Sequence, residues 1–494
     1  MAHHRVAAGV GLVAALALPR GPAAAQDSSG TTSPTNPHAP VVGDTSAKPA
    51  SAPSSTSLPS CDGKVITSID VRPQAPYSHN YPGVLGAAER LATGFHSVTR
   101  THVIRSFLAL HEGDMCTELR RRESERILRT QPYLAAARVT AYDDGKGGVR
   151  LDVFTVDEIS LIGGLAARTA SPFVTFARAG DSNIGGQGLL GTGEWRDGFF
   201  YRDHYAAQVT DYELFGHPWV FNILGSRDEL GGGWSATMIH PFYSDLQRFA
   251  WIGTLGEVRT FVRFLRPDSV HALALDFSRH YSDIGGIVRV GPFGRDLLLG
   301  ATISQEREES GSTPVIVTDS GVRVDRDSAL IDRYTQHHVG RLNAIVGIRD
   351  LRFLRVRGFD ALEGDQDLAT GIQFGALFGR SVSALGSTDN DIFVGSGMYA
   401  GLATSRTFFA LEVRSEGRES LDTERWDGLL TSARLAAYWK PAAAHTIIAS
   451  TEFGLGLRQR LPFQLALGDV DGGVRGFLGS HVARLLAAQG AELR

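Results

Sequence analysis

The chain has 494 residues, 43% of them hydrophobic, and its 49 basic and 53 acidic side chains give a net charge of −4. That length is too great for one small domain and fits one small domain together with a large one. The slightly acidic balance gives no support for nucleic-acid binding. No segment after the N-terminus supplies the roughly eighteen apolar residues of a membrane helix, which excludes a helical membrane protein.

The N-terminus has the three-part layout of a cleaved secretory signal. Met1–Arg5 is a short basic stretch, Val6–Leu18 is apolar, and Ala23–Ala25 provides small residues before a cleavage site. The sequence therefore predicts a signal peptide over residues 1–25 and an exported protein. Residues 26–60 are mostly Ser, Thr, Pro, Ala, Asp and Gly, which predicts a disordered linker because they offer little apolar surface to bury.

The two cysteines of the chain, Cys61 and Cys116, both follow this linker. An even number of cysteines in an exported protein indicates a disulfide, since compartments outside the cytoplasm are oxidising. The sequence predicts a Cys61–Cys116 disulfide, with two unpaired thiols as the alternative.

Residues 61–158 have the pattern of a small α/β domain, in which segments with strand-like spacing of apolar residues alternate with segments of helical spacing. The predicted elements are a strand over Lys64–Arg72, helices over Val84–Phe95, from Thr101 and from Thr117 to about Thr130, and strands over Ala135–Tyr142 and Val149–Val156. The last two strands flank a loop rich in Gly and Asp, which is typical of a hairpin.

From residue 159 to 494, helical periodicity gives way to segments of about ten residues with period-two alternation. In one segment the apolar Ile447 and Phe453 alternate with Ser450 and Glu452. In another, apolar and polar positions alternate as Leu273, Leu275 and Phe277 against Asp276, Ser278 and His280. The pattern predicts an antiparallel membrane β-barrel with the apolar face toward lipid and the polar face toward the lumen. A soluble β-sandwich or propeller is the alternative, because its strands alternate too.

Three short motifs that suggest chemistry lack their structural context. Gly186–Gly191 matches the dinucleotide fingerprint, but the strand-like Gly193–Tyr201 follows where a helix N-terminus is needed to bind pyrophosphate. Ser182 lacks a recognisable histidine and acid partner, and His337–His338 lacks metal-ligand spacing. The sequence therefore predicts no enzyme, no cofactor and no metal site.

Three parts of the chain resemble known modules of outer-membrane proteins. Thr101–Arg105, Gly113–Asp114, Arg126–Leu128 and the closing hairpin resemble a POTRA domain, a periplasmic module that precedes an outer-membrane barrel. Asp181–Gly188 resembles the first barrel hairpin of the assembly-factor superfamily. His240–Ser244 resembles a hairpin of bacterial surface-antigen barrels.

The most specific resemblance lies near the C-terminus. Leu467–Phe477 resembles the inward-folded loop of the BamA/TamA superfamily, whose glycine-rich segment carries a Val-Arg-Gly-aromatic tip into the barrel. The resemblance implies that Arg475 is the luminal contact and needs a carboxylate partner, because a buried cation is costly without one. It implies that Gly476 permits the turn and that Val474 and Phe477 are packing flanks.

Together these resemblances imply a POTRA-like periplasmic domain over residues 61–158 and an outer-membrane β-barrel over residues 159–494. The implied function is the insertion or translocation of other proteins without a cofactor. The implied partners are the lipid bilayer, unfolded outer-membrane or secreted clients, and periplasmic proteins at the POTRA-like domain, where an exposed sheet edge would receive strands. The alternatives are a two-partner-secretion translocator for one client and a passive channel or surface receptor.

The C-terminus departs from the superfamily pattern. Only His481–Arg494 follows the motif, where the resemblance implies several strands of a barrel of about sixteen. About eleven or twelve candidate strands precede it, and His481–Arg494 alternates poorly and resembles a helix. The sequence therefore predicts a barrel that is incomplete at the C-terminus, with unpaired edges that prevent closure.

Overall fold

The computed structural model describes residues 61–463 and strand residues between 465 and 493. The exceptions are residues 62, 77–82, 84–85, 87–92, 95, 170–172, 199–201, 265–271, 293, 319–320, 326–329, 358–364, 443–444, 464, 468–480, 484 and 494. The predicted signal peptide over 1–25, the linker over 26–60 and the loop motif Val474–Phe477 lie outside the described residues. Within the described part, no helix is long and apolar enough to cross a membrane.

A small α/β unit precedes the barrel. Its described elements are β1 (Ile66–Gln74), α1 (Thr101–Ser106), α2 (Glu118–Arg129), β2 (Leu134–Asp143) and β3 (Val149–Asp157). The sheet order is β1-β3-β2, with β1 parallel and β2 antiparallel to β3. Thr117 caps α2 by accepting the N–H of Arg120 at 3.3 Å, as expected of a threonine at a helix start. Buried Val103, Ile104, Leu128 and Leu151 form part of one core between helices and sheet.

A disulfide joins Cys61 to Cys116, with a Cα–Cα distance of 5.4 Å and a sequence separation of 55 residues. Both cysteines are buried in the core of the small unit. The disulfide therefore fixes the start of the small unit to the loop that precedes α2.

Replacing both cysteines by alanine is expected to destabilise the small unit by about 4 kcal/mol, because the unfolded chain loses a closed loop of this length. Urea unfolding of the full-length chain, followed by hydrogen exchange at Val103 and Leu151, measures the change. Reductant should weaken the wild type by a similar amount and leave the double variant unchanged. Equal stability of wild type and variant would contradict this expectation.

The larger part of the chain is an antiparallel barrel whose wall contains sixteen of the described strands. In chain order these are β4 (Leu161–Ala167), β5 (Val174–Asp181), β6 (Leu189–Arg196), β7 (His204–Asp211), β8 (Val220–Asp228), β9 (Gly231–His240), β10 (Phe249–Phe264), β11 (Leu273–Val290), β12 (Arg295–Ser310), β15 (His337–Arg357), β16 (Asp365–Ser381), β17 (Asp391–Ala403), β18 (Thr407–Ser420), β19 (Arg425–Ala442), β20 (His445–Leu457) and β23 (Leu485–Leu493).

Two short hairpins accompany the wall. β13 (Val315–Thr318) and β14 (Gly321–Val324) form a hairpin between β12 and β15, and β13 also pairs with the start of β11. β21 (Leu465–Leu467) and β22 (His481–Ala483) pair only with each other among the described strands. The β13–β14 hairpin therefore extends from one end of the barrel.

The expectation of an unclosed barrel was wrong. Leu485–Leu493, part of the segment that resembles a helix, is strand β23, which pairs with β20 and lies between β20 and β4 in a closed barrel. Strand pairing outweighs the helix propensity of Leu and Ala here, because a barrel edge offers a row of unpaired backbone groups. The strand count was too low because β4 to β9 are only seven to ten residues long and alternate weakly.

The outer wall carries a band of exposed apolar side chains. On β11, β12, β15 and β16 the exposed side chains include Ile284, Val288, Leu297, Leu299, Ile303, Leu342, Val346, Ile348, Ile372, Phe374 and Phe378. The alternate residues of the same strands are buried and point inward. An apolar band of this kind on the outer wall is the surface that a membrane barrel presents to lipid.

The predicted orientation of β11 near its start was wrong. Leu275 and Phe277 are buried in the interior, whereas Asp276 is on the exposed side. Their apolar partners include Ile316 of the β13–β14 hairpin and Tyr334. At this end of β11 the apolar side chains face inward because apolar residues of the hairpin segment pack against them. On the outside, the polar side chain of Asp276 lies beyond the apolar band.

Candidate functional site

The turn between β9 and β10, residues 241–248, folds into the barrel end that faces the small unit. We call it the inner turn, and that barrel end the domain-side mouth. Asp245 of the inner turn accepts hydrogen bonds from Arg289 of β11 at 3.2 Å and from Arg349 of β15 at 3.0 Å. The Arg289 guanidinium also lies 4.1 Å from the ring centre of Phe242. The inner turn is therefore fastened to the interior face of two separate strands.

Beneath the inner turn, apolar side chains from eight neighbouring strands form a continuous lining on one side of the interior. This luminal layer consists of Val220, Ile239, Ala250, Ile252, Ile287, Leu298, Ile345, Leu377 and Phe393. Phe242 and Tyr243 of the inner turn pack against it. An apolar lining packed against the inner turn excludes water as a protein core does, so the turn and these strands form one core at the domain-side mouth.

Helix α2 covers the inner turn from the side of the small unit. Ser244 Oγ donates to Glu123 Oε2 at 2.7 Å, and Arg126 Nη2 donates to the carbonyl oxygen of Tyr243 at 2.6 Å. The Arg126 guanidinium lies 4.3 Å from the ring centre of Phe353 on β15. Central charged residues of α2 therefore hold the turn in place.

A second set of ion pairs joins α2 to the barrel wall. Arg129 donates to Asp367 of β16 at 2.9 Å, and Arg355 of β15 pairs with Glu125 at 3.0 Å. We call the contacts of Glu123, Glu125, Arg126 and Arg129 with the barrel the latch. Buried ion pairs add little net stability, but breaking one partner is costly, so such contacts favour one docked arrangement.

Burial alone would raise the pKa of Glu123, but the hydrogen bond and charge of Arg126, together with the Ser244 hydroxyl, lower it below its ordinary value of 4.5. A depressed pKa means that the docking contribution of Glu123 is complete above pH 4.5. It is lost as the pH falls through the lowered pKa.

The contacts of Glu123 in the latch are therefore expected to be insensitive to pH between 8 and 5 and to weaken below about pH 4.5. Ion current through the chain in a planar bilayer, recorded at each pH, measures the closure. The current should stay low down to pH 5 and then rise. A rise between pH 7 and 5 would contradict the role given to Glu123.

At the opposite end, the far mouth, an ionic network lines the interior under residues 458–463. Arg341 of β15 pairs with Asp391 of β17 at 2.7 Å and lies 3.8 Å from Glu306 of β12. Arg460 donates to Asp391 at 3.2 Å and also contacts Asp389 and His337. The segment after β20 is thereby anchored inside the barrel by an arginine.

Arg460→Ala is expected to release residues 458–463, because Asp389 and Asp391 each lose a partly buried hydrogen-bond donor worth about 1–3 kcal/mol. Tryptic cleavage after Arg458 in the folded chain reports the release and should become about tenfold faster. Arg425→Ala, an exposed arginine at the same mouth, is the matched control and should leave the rate unchanged. Equal cleavage in both variants would contradict the anchoring role.

The structure places only some of the residues that the sequence singled out. Val474, Arg475, Gly476 and Phe477 lie outside the described residues, so the role of Arg475 stays a prediction. Arg460, which the sequence reasoning missed, makes the luminal contacts of the described part of the loop. Its only sequence signal is a single arginine three residues beyond the end of a strand.

The dinucleotide-like Gly186–Gly191 is followed by strand β6 rather than a helix, as its sequence predicted. His337 is an ion-pair partner of Asp389 at 2.9 Å. No group of three or more His, Cys, Asp or Glu residues that could hold a metal occurs among the described residues.

Both edges of the small sheet carry side-chain caps. Glu112 accepts the N–H of Ile69 on β1 at 3.1 Å, and Arg105 donates to the carbonyl oxygen of the same residue. On β2, Glu125 accepts the N–H of Val139 at 3.2 Å, and Arg121 donates to its carbonyl oxygen. Charged caps of this kind protect edge strands from pairing. The edge that was expected to receive strands is therefore occupied at these two positions.

No protein-family model matches the chain, and no curated protein matches it. Among solved structures, the chain is similar to BamA from Haemophilus ducreyi lacking POTRA domains 1–3, with 11% identity, 87% of this chain and 78% of that chain covered, and a TM-score of 0.36.

It is also similar to CdiB from Escherichia coli, with 9% identity, 87% and 70% of the two chains covered, and a TM-score of 0.43. A third similar structure is CdiB from Acinetobacter baumannii, with 8% identity and a TM-score of 0.41. The match covers 81% of this chain and 65% of that CdiB chain, so it spans less than two thirds of the CdiB chain.

Proposed function

We propose that the chain is an outer-membrane barrel that inserts or translocates other proteins, with its small unit docked in the periplasm as a closure of the domain-side mouth. The observation that carries the proposal is that the inner turn packs on the luminal layer of a lipid-compatible barrel and is covered by α2 at the domain-side mouth. A barrel that admits polypeptides has to be closed at rest to keep the membrane tight.

The same observation disfavours a passive channel. Porin-type channels need a continuous water-filled interior. Here apolar side chains of eight of the sixteen strands line the interior, and Arg289 and Arg349 fix the inner turn above them. Solute passage would require moving these parts, which a permanently open pore does not do.

Clients are proposed to reach the barrel through the small unit, and the lipid bilayer is the second partner. Because side chains already bond the backbone groups of Ile69 and Val139, the proposal does not include client binding by strand addition at these two residues. The proposal involves no cofactor and no enzymatic step.

Depletion of the chain in its own cells tests the proposed function. A fall in the abundance of many outer-membrane proteins would support general assembly, and loss of one exported protein would support a dedicated translocator. A change in solute permeability alone, with all other proteins at normal levels, would overturn the proposal.

A further inference from the structure

The turn between β5 and β6, residues 183–188, contacts the small unit beside the covalent connection between the two parts. We call this turn the socket. Only residues 158–160 separate β3 of the small unit from β4 of the barrel. The N–H of Ser182 donates to the carbonyl oxygen of Ser160 at 2.8 Å, and the N–H of Glu158 donates to that of Tyr133 at 2.9 Å. The connection is therefore short and hydrogen-bonded at both of its ends.

Hydrogen bonds to the backbone and to one side-chain amide of the socket hold the segment before α1 in place. The backbone N–H of Arg100 donates to the carbonyl oxygen of Gly186 at 2.8 Å, and its Nε donates to that of Gly185 at 3.1 Å. Asn183 Nδ2 donates to Thr99 Oγ1 at 2.8 Å. Thr99 and Asn183 are each 1% exposed, so water does not compete for this bond.

A buried chain of hydrogen bonds continues from Thr99 into the connection. Thr99 donates its N–H and its hydroxyl to the Asp157 carboxylate at 2.7 and 2.8 Å, and His96 bridges Asp157 at 3.0 Å and Ser160 at 3.2 Å. Serine, histidine and aspartate are linked here in the order of a hydrolase triad. The side chains of His96 and Asp157 are 3% and 0% exposed, so no substrate reaches them. The chain of bonds serves to fix the joint.

Glycines make the close approach sterically feasible. A Cβ at Gly186 would lie 2.2 Å from the carbonyl oxygen of Val98, and one at Gly188 would lie 3.3 Å from Val103. Both have positive φ, +71° and +68°. A Cβ at Gly185, with φ +61°, would meet nothing closer than Gln187 at 3.9 Å. The glycine spacing that imitates a dinucleotide fingerprint thus fits the small unit instead of a phosphate.

The two attachments of the small unit differ in kind. The socket uses hydrogen bonds of its backbone and of the Asn183 amide, steric fit and the covalent connection, whereas the latch includes ion pairs between α2 and the barrel. We infer that the socket is a fixed pivot on which the small unit stays seated while the latch releases α2 from the domain-side mouth. This inference rests on the proposed function, because it describes how the closed mouth would open.

Pulsed dipolar spectroscopy on the full-length chain in nanodiscs tests the pivot. One spin-label pair at His102 and Leu165 reports on the socket side, and a second pair at Arg122 and Asp350 reports on the latch side. Labels on unnatural amino acids leave the Cys61–Cys116 disulfide intact.

The latch variant Arg126→Ala/Arg129→Ala should at least double the width of the latch-side distance distribution and leave the socket-side distribution narrow. Equal broadening of both distributions would overturn the pivot. A latch-side distribution that stays narrow would overturn the release of α2.

The matched pair Gly186→Ala and Gly185→Ala separates steric fit from backbone strain, because both positions have positive φ. Gly186→Ala should broaden the socket-side distribution, and Gly185→Ala should leave it narrow. Identical behaviour of the two variants would overturn the role of the socket. The distance measurements need no client protein, so they test the pivot independently of the proposed function. If the proposed function is wrong, depletion of the chain will not change the levels of other proteins, but the distance distributions can still be as expected.

Discussion

Asp245→Ala is expected to open the barrel, turning a nearly silent protein into a conducting one in planar bilayers. The Asp245 carboxylate accepts from Arg289 and Arg349, and all three side chains are buried. Removing it leaves two buried guanidinium groups without this partner, a change that costs about 3–5 kcal/mol in the closed state. Because about 1.4 kcal/mol corresponds to a factor of ten, the open fraction should rise at least a hundredfold.

Asp350→Ala is the matched control for this experiment. Asp350 pairs with Arg295 at 3.2 Å on the outer wall, where the two side chains are 52% and 72% exposed. An exposed pair contributes about 0–1 kcal/mol, so its loss should leave the current unchanged. Heat-modifiable migration shows that both variants fold. A folded Asp245→Ala barrel with wild-type current would contradict closure by the inner turn.

Val288→Arg combined with Val346→Arg is expected to prevent stable insertion of the barrel into lipid. The two side chains lie at the same level of β11 and β15 and point outward, with 43% and 39% exposure. An arginine near the midplane of a membrane barrel costs about 2–4 kcal/mol, so two together remove most of the stability of an ordinary fold. Folding into phospholipid vesicles, followed by urea titration, measures the loss.

Met115→Arg combined with Phe154→Arg provides the comparison. These apolar side chains are 53% and 38% exposed on the small unit, which the proposal places in water. Because surface substitutions in water change stability by about 0.5 kcal/mol or less, this variant should insert normally. Equal loss in both variants, or in neither, would contradict the assignment of the exposed band on β11 to β16 to lipid.

The described elements of the small unit could be predicted well because they carry strong local signals, whereas most of the predicted helix over Val84–Phe95 lies outside the described residues. Thr117 marked the start of α2, and the alternation of Val149–Val156 marked β3. The burial of Glu123, Glu125, Arg126 and Arg129 could not be predicted in the same way. Local sequence places charged residues in solvent, and only the docking of α2 against the inner turn gives them partners.

In the barrel, alternation gave the strand character but not which face points outward. Ile447 and Phe453 kept the predicted pattern, whereas Leu275 and Phe277 face inward because the β13–β14 hairpin covers them. Closure by Leu485–Leu493 was missed for a related reason. Pairing with β20 is a long-range contact, and the residues of this strand alternate too weakly to predict it.

Client assembly by the purified chain tests the central claim most directly. The chain is reconstituted into phospholipid vesicles, and a urea-unfolded outer-membrane barrel protein is added as the probe. We expect the probe to reach its heat-modifiable folded form, or to become protected from external protease inside the vesicles, faster than with vesicles that carry an unrelated porin. Folding and protection of the probe at the porin rate would contradict the account.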